Sequence, residues 1–124
     1  MKLRISGDSI RFRLGRAEVA RVGDGQRVEE RAHLSPTPFV YAISSSVDST
    51  QPSASFADGT LEVILPLVLV RDWAQSSQVG ITTDLPAGGD GLLRLLIEKD
   101  FKCLQGDDEH QRDTFPYPKE PAGS

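Results

Sequence analysis

Four cations fall at alternate positions of two short segments near the start of the chain: Lys2 and Arg4, then Arg11 and Arg13. Alternation is the period of a β-strand, whose successive side chains point to opposite faces. Gly7-Asp8 between the two segments is turn chemistry. Folded as a hairpin, the segments place all four charges on one face, about 4.8 Å from their cross-strand neighbours. Leu3, Ile5, Ile10, Phe12 and Leu14 take the other. A face of this kind repels itself unless acids from elsewhere neutralise it or phosphate groups are recruited to it. The expectation is a solvated strand face paired with local acids; the alternative is a phosphate or nucleic-acid contact face with weak duplex binding, since no interleaved aromatics and no recognition helix accompany it.

A second concentration of reactive side chains comprises Glu98, Asp100, Cys103, His110 and Asp113. It contains every common metal-ligand type, but a closed zinc site needs paired Cys or His at tight spacing, and this spacing is not of that kind. The simpler expectation is a solvated strand end at Glu98 and Asp100, with Cys103 a small semi-buried hydrophobe. A Cys103 dyad with His110 or His33 would lack an orienting third group and an oxyanion turn. Gly88, Gly89 and Gly91 are not followed by a helix and form no phosphate cradle. No catalytic residue, metal or cofactor is expected. In the tail, Phe115-Pro116-Tyr117-Pro118 is a proline-stiffened aromatic pair that folds back on its own domain or docks Phe115 and Tyr117 on a partner; folding back is the expectation.

The elements that must position these residues can be read from local patterning. After the first hairpin, residues 16–22 read as a short helix with Ala17, Val19 and Val22 inward, ended by Gly23-Asp24-Gly25. Residues 27–34 form a polar strand with Val28 inside, and 39–44 a further strand. The serine-rich stretch 45–55 is a linker. Phe56, Asp58-Gly59 and the alternating Leu61, Val63 and Leu65 repeat the hairpin, Pro66 opens a helix over 67–74, and strands come next at 78–83 and 92–99. The last of these is apolar enough to lie centrally. Adding 51 to a position in the first half lands on its counterpart: Val19 on Val70, Val22 on Trp73, Val28 on Val79. Trp73 is thus expected in the core. The fold expected is α+β, mainly antiparallel, a duplicated hairpin, helix and strand unit. Residues 1–104 make one globular domain (repeats at about 1–44 and 56–104, linker 45–55), and 105–124 an acidic, proline-rich, loosely held tail.

The sequence Asp58-Gly59-Thr60-Leu61-Glu62-Val63-Ile64-Leu65-Pro66, followed by Val70, Trp73 and Val79, resembles the swapped-hairpin unit of the AbrB and MazE class. That resemblance implies an intertwined β-barrel, here built from two halves of one chain, and DNA binding by transcriptional regulators or antitoxins through basic hairpin residues. Gly15 stands where the second copy has Pro66. Over nearly its whole length the chain also resembles a family of small bacterial proteins of unassigned function.

Composition narrows the classes. At 124 residues with a net charge of −4, the chain has room for one modest core and little long-range attraction for nucleic acid. The charge is uneven: residues 1–51 hold eight of the 14 Lys and Arg but only six of the 18 acids. One cysteine leaves no intrachain disulfide, which suits a reducing bacterial cytoplasm. Residues 61–70, the longest apolar run, contain Glu62 and Pro66 and are too short for a membrane span, and residues 1–7 lack the pattern of a signal peptide. The expectation is a cytoplasmic, non-enzymatic binding or regulatory module, monomeric or homodimeric, with an unidentified protein partner. The alternatives are an AbrB-like DNA-binding protein and a small metal- or thiol-dependent enzyme.

Overall fold

The computed structural model describes residues 1–86, 91–101 and Phe115. Strand β1 (Lys2–Ser6) turns through Gly7, at φ +56°, into β2 (Ser9–Leu14). Glycine adopts that conformation without a β-carbon clash. The strands pair antiparallel with Leu3 opposite Phe12 and Ile5 opposite Ile10 on one face, and Lys2 opposite Arg13 and Arg4 opposite Arg11 on the other. Helix α1 (Arg16–Gly23) begins two residues later. Its first turn is held by Glu18, which accepts the Gly15 N–H at 3.0 Å and the N-terminal ammonium at 2.9 Å. A carboxylate there also meets the positive end of the helix dipole. Val19 and Val22 are buried, and Gly25, at φ +85°, lies in the turn that ends the helix. Strands β3 (Val28–Ala32) and β4 (Phe39–Ser46) complete the first half.

The second half runs β5 (Ser53–Ala57), β6 (Thr60–Pro66), α2 (Leu67–Gln75), β7 (Gly80–Pro86) and β8 (Leu92–Lys99). Asp58 and Gly59, at φ +53° and +75°, turn its hairpin; both central residues on the left-handed side suit the right-handed twist of the paired strands. In α2 the buried residues Leu67, Val70 and Trp73 recur every third position, forming one inward stripe.

Each hairpin lies on a strand of the other half. Sheet A has the order β1-β2-β8-β7 and sheet B the order β3-β4-β6-β5. At the centre of each sheet the pairing between halves is parallel, with Phe12 opposite Ile97 in sheet A and Val63 opposite Ile43 in sheet B. Corresponding hydrogen bonds tie each hairpin turn to its host strand: Arg94 N–H donates to Asp8 O and Val40 N–H to Gly59 O, both at 2.8 Å. Phe12, Leu14, Ile43, Val63, Leu65, Leu95 and Ile97 from the two sheets meet Val22, Val70 and Trp73 from the helices in one fully buried core. The Trp73 indole N–H is satisfied by Val79 O at 3.1 Å. Gly23 brings α1 against α2, since a β-carbon there would sit 3.4 Å from that of Ala74.

Several expectations are corrected. The described strands form two four-stranded sheets and no closed barrel: β1, β7, β3 and β5 are edges, and their exposed Lys2, Arg4, Glu29, Arg31 and Asp84 are the charged, solvated side chains that edges carry. The sheets are mixed, because exchanging hairpins between halves sets β2 parallel to β8 and β4 parallel to β6. The offset of 51 holds for the starts of β1 and β5, β2 and β6, and α1 and α2, then fails. Val28 pairs with Ile43 just as Ile81 pairs with Ile97, offsets of 53 and 54. The second half has a helix one residue longer, and β7 buries its second residue where β3 buries its first, so Val79, matched to buried Val28 by the simple offset, is exposed while Ile81 is buried. The serine-rich linker is shorter than 45–55, as β4 runs to Ser46 and β5 starts at Ser53. Ser45 is buried because its hydroxyl donates to Val22 O at 2.5 Å.

Candidate anion-binding face

The outer face of sheet A is a grid fixed by strand register. One row holds Lys2, Arg13 and Glu98, the next Arg4, Arg11, Leu96 and Thr82, and the third Ser6, Ser9, Arg94 and Asp84. Lys2, Arg4, Arg11 and Arg13 are thus brought together, as strand alternation requires. The grid adds Arg94, which sequence reading passes over because it lies on a different strand 85 positions from its neighbour Ser9.

Acids from the second half answer most of these charges. Lys2 Nζ lies 3.0 Å from Asp100, Arg94 Nε lies 3.2 Å from Asp84, and Glu98 is shared between Arg11 at 3.3 Å and Arg13 at 3.9 Å. Arg4 has no carboxylate partner among the described residues, and one carboxylate between two guanidinia leaves a further positive charge uncompensated. Two unit charges about 5 Å apart repel by only about 0.8 kcal/mol in a water-like medium, so the fold tolerates the excess. Arg4 and Arg11 line two adjoining depressions. In one, of about 190 Å³, they are joined by Lys2, Leu3 and Arg13; in the other, of about 210 Å³, by Ser6 and Ser9.

Sheet B presents a different outer surface. Arg27 donates to Glu62 at 2.9 and 3.0 Å and to Glu29, and Arg31 Nε donates to Glu29 at 3.1 Å. The bonds to Glu62 and then Glu29 raise the Arg27 pKa still further, and Arg27 followed by Arg31 holds the Glu29 carboxyl below its ordinary range. Two cations and two carboxylates close on one another.

Between the sheets, at the hairpin-turn end, an apolar cleft of about 320 Å³ is lined by Ile5, Ile10, Phe39, Phe56, Leu61 and Leu93 among others. Among the described residues Ser55 is its one polar lining residue, and none that lines it is titratable.

The remaining sequence candidates divide. Glu98 and Asp100 serve as counter-ions to the basic face, and among the described residues no group of three or more His, Cys, Asp or Glu is placed to hold a metal. His33 is exposed on the connection between β3 and β4. Cys103, His110, Asp113, Tyr117 and the glycines at 88 and 89 lie outside the described residues, as does most of the tail. Phe115 packs on its own domain: its N–H donates to Asp100 O at 2.8 Å and its ring meets Phe101 edge-on at 6.1 Å. Lys99 Nζ sits 5.4 Å from the centre of the Phe115 ring and donates to Ser76 O at 2.7 Å, and burial lowers its pKa. No helix among the described residues is long and apolar enough to cross a membrane.

No curated protein and no solved structure matches the chain. A family model does match, over residues 1–119, and by that match the chain belongs to the family of unknown function DUF7009.

Proposed function

We propose that this chain is a non-enzymatic binding module whose working surface is the outer face of sheet A, and that its ligands are anionic. The observation that carries the reading is Arg4, an exposed guanidinium beside Arg11 with no carboxylate partner among the described residues. A charged side chain suits a strand edge, but edge protection does not require one at this position. Strand β5 occupies the corresponding edge of sheet B with Ser53, Ala54, Ser55, Phe56 and Ala57, none of them charged. We also read the two halves as copies of one unit; the shared element order, the 51-residue spacing of the first three elements and the reciprocal hairpin exchange support this.

The test is anisotropy of labelled polyphosphate and labelled duplex DNA with the full chain across a salt series. Each phosphate contact lowers the slope of log affinity against log salt by about 0.9. With Arg4 and one excess guanidinium active, the expected slope is about −1 to −2, with weak duplex binding at physiological ionic strength. Absence of polyphosphate binding even at low salt would overturn the reading. The AbrB-like alternative is favoured by one observation, the exchange of a basic hairpin between halves. It demands sequence-selective, submicromolar duplex binding at about 0.15 M salt, with a slope near −3 to −4 as all four hairpin cations engage.

A further inference from the structure

We propose that the depression between Arg4, Ser6, Ser9 and Arg11 is a subsite for one phosphomonoester dianion, an inference that rests on the outer face of sheet A being the working surface. Arg4 and Arg11 are directly opposed across the hairpin, as are Ser6 and Ser9. Cross-strand neighbours stand about 5 Å apart and alternate residues about 7 Å apart along a strand, so the four side chains frame a patch the size of one tetrahedral oxyanion with its first contacts. The volume of about 210 Å³ agrees with a single group. No acid lines it. Arg11 approaches Glu98 through Nε at 3.3 Å, and its Nη groups make no hydrogen bond among the described residues. Two guanidinium forks and two hydroxyls therefore converge as donors on a ligand that only accepts.

The surroundings decide between a monoester and a backbone of diesters. A nucleic-acid strand lays phosphates in succession and needs successive unanswered cations. Here the neighbouring cations already have carboxylates: Lys2 has Asp100, Arg94 has Asp84, and Arg13 shares Glu98 with Arg11. The excess charge is a spot and not a track. A spot matches the second negative charge that a monoester carries and a diester lacks, and that charge appears as pH rises through about 6.

The experiment titrates the isotopically labelled full chain with phenyl phosphate, inorganic phosphate, a phosphoserine peptide and dimethyl phosphate, following backbone amide shifts. The expected result is that the three ligands with a dianionic phosphate shift Ser6, Ser9 and Arg11, that affinity rises from about pH 5 to about pH 8, and that dimethyl phosphate binds far more weakly. Arg4→Gln, which removes an exposed side chain from no ion pair, should cost about ten-fold or more in affinity, as the loss of a charge-assisted hydrogen bond does. The free phosphates binding as well as the peptide would identify a small-molecule site; peptide preference would identify a phosphorylated protein segment. Equal binding of dimethyl phosphate, no effect of Arg4→Gln, or no shifts at millimolar monoester overturns the subsite. Polyphosphate binding that survives such a failure leaves the working-surface reading standing; loss of both removes both.

Discussion

The two sheets have corresponding architectures and different surface electrostatics, one balanced and one with an excess of cations. Each is a hairpin of one half laid parallel on the last strand of the other, with inner faces built from the same kinds of residue. On the outside they part. Sheet B carries Arg27, Glu29, Arg31 and Glu62 in a closed network; sheet A carries Lys2, Arg4, Arg11, Arg13 and Arg94 with Glu98, Asp100 and Asp84, and leaves Arg4 over. At positions 51 apart, Arg4 answers to Ser55 and Arg11 to Glu62. The scaffold therefore does not require cations on its hairpin face, since the hairpin of the second half has serine and glutamate there. What sheet A keeps beyond stability is a place to look for recognition.

Both faces stand on one core, so the largest expected effect is common to them. Trp73→Ala, which empties a fully buried indole site and leaves Val79 O with the Lys99 N–H as its remaining donor, should cost about 3–5 kcal/mol by urea denaturation. A loss below about 1 kcal/mol would mean that the helices are not part of the shared core.

Next come the faces themselves. Arg27→Met should destabilise by about 0.5–1 kcal/mol, because it breaks a bidentate pair, whereas Arg4→Met should stay within about 0.5 kcal/mol of wild type, because it breaks no ion pair among the described residues. Equal losses would erase the contrast between an interlocked face and an open one.

The smallest effect is in the pH dependence. Glu29 is held below its ordinary value of 4.5 by hydrogen bonds from Arg27 and Arg31. A carboxyl with a lowered folded-state pKa contributes stability that is complete above 4.5 and is lost as pH falls through the lowered value. The stability difference between wild type and Glu29→Gln should therefore be present at neutral pH and shrink on acidification, read from urea midpoints across an acid series. A difference that persists unchanged at low pH would show that Glu29 acts by packing and not by charge.

The basic face was legible in the sequence where its causes are local. Alternation of Lys2, Arg4, Arg11 and Arg13 around Gly7-Asp8 needs only the two-residue period of a strand and a turn. The neutralising acids are legible only as a class: Glu98 and Asp100 read as the solvated end of a strand, and their role as counter-ions is visible only once β8 lies parallel beside β2. Parallel pairing between residues 85 apart leaves no periodic trace in the chain. The apolar cleft escaped for the same reason: Ile5 and Leu93 from one sheet meet Phe39 and Phe56 from the other only after both sheets have formed. The uniform offset of 51 fails at Val79 because the second helix is one residue longer and β7 buries its second residue, Ile81, where β3 buries its first, Val28.

The most direct test of the central claim is charge reversal on each face in turn, with polyphosphate affinity measured at low salt. Arg4→Glu on sheet A and Arg31→Glu on sheet B change the net charge equally, so any long-range effect of total charge cancels between them. The account predicts at least about a ten-fold loss for Arg4→Glu, as removal of a charge-assisted contact implies, and a change within about two-fold for Arg31→Glu. Equal losses in the two variants, or none in either, would contradict it.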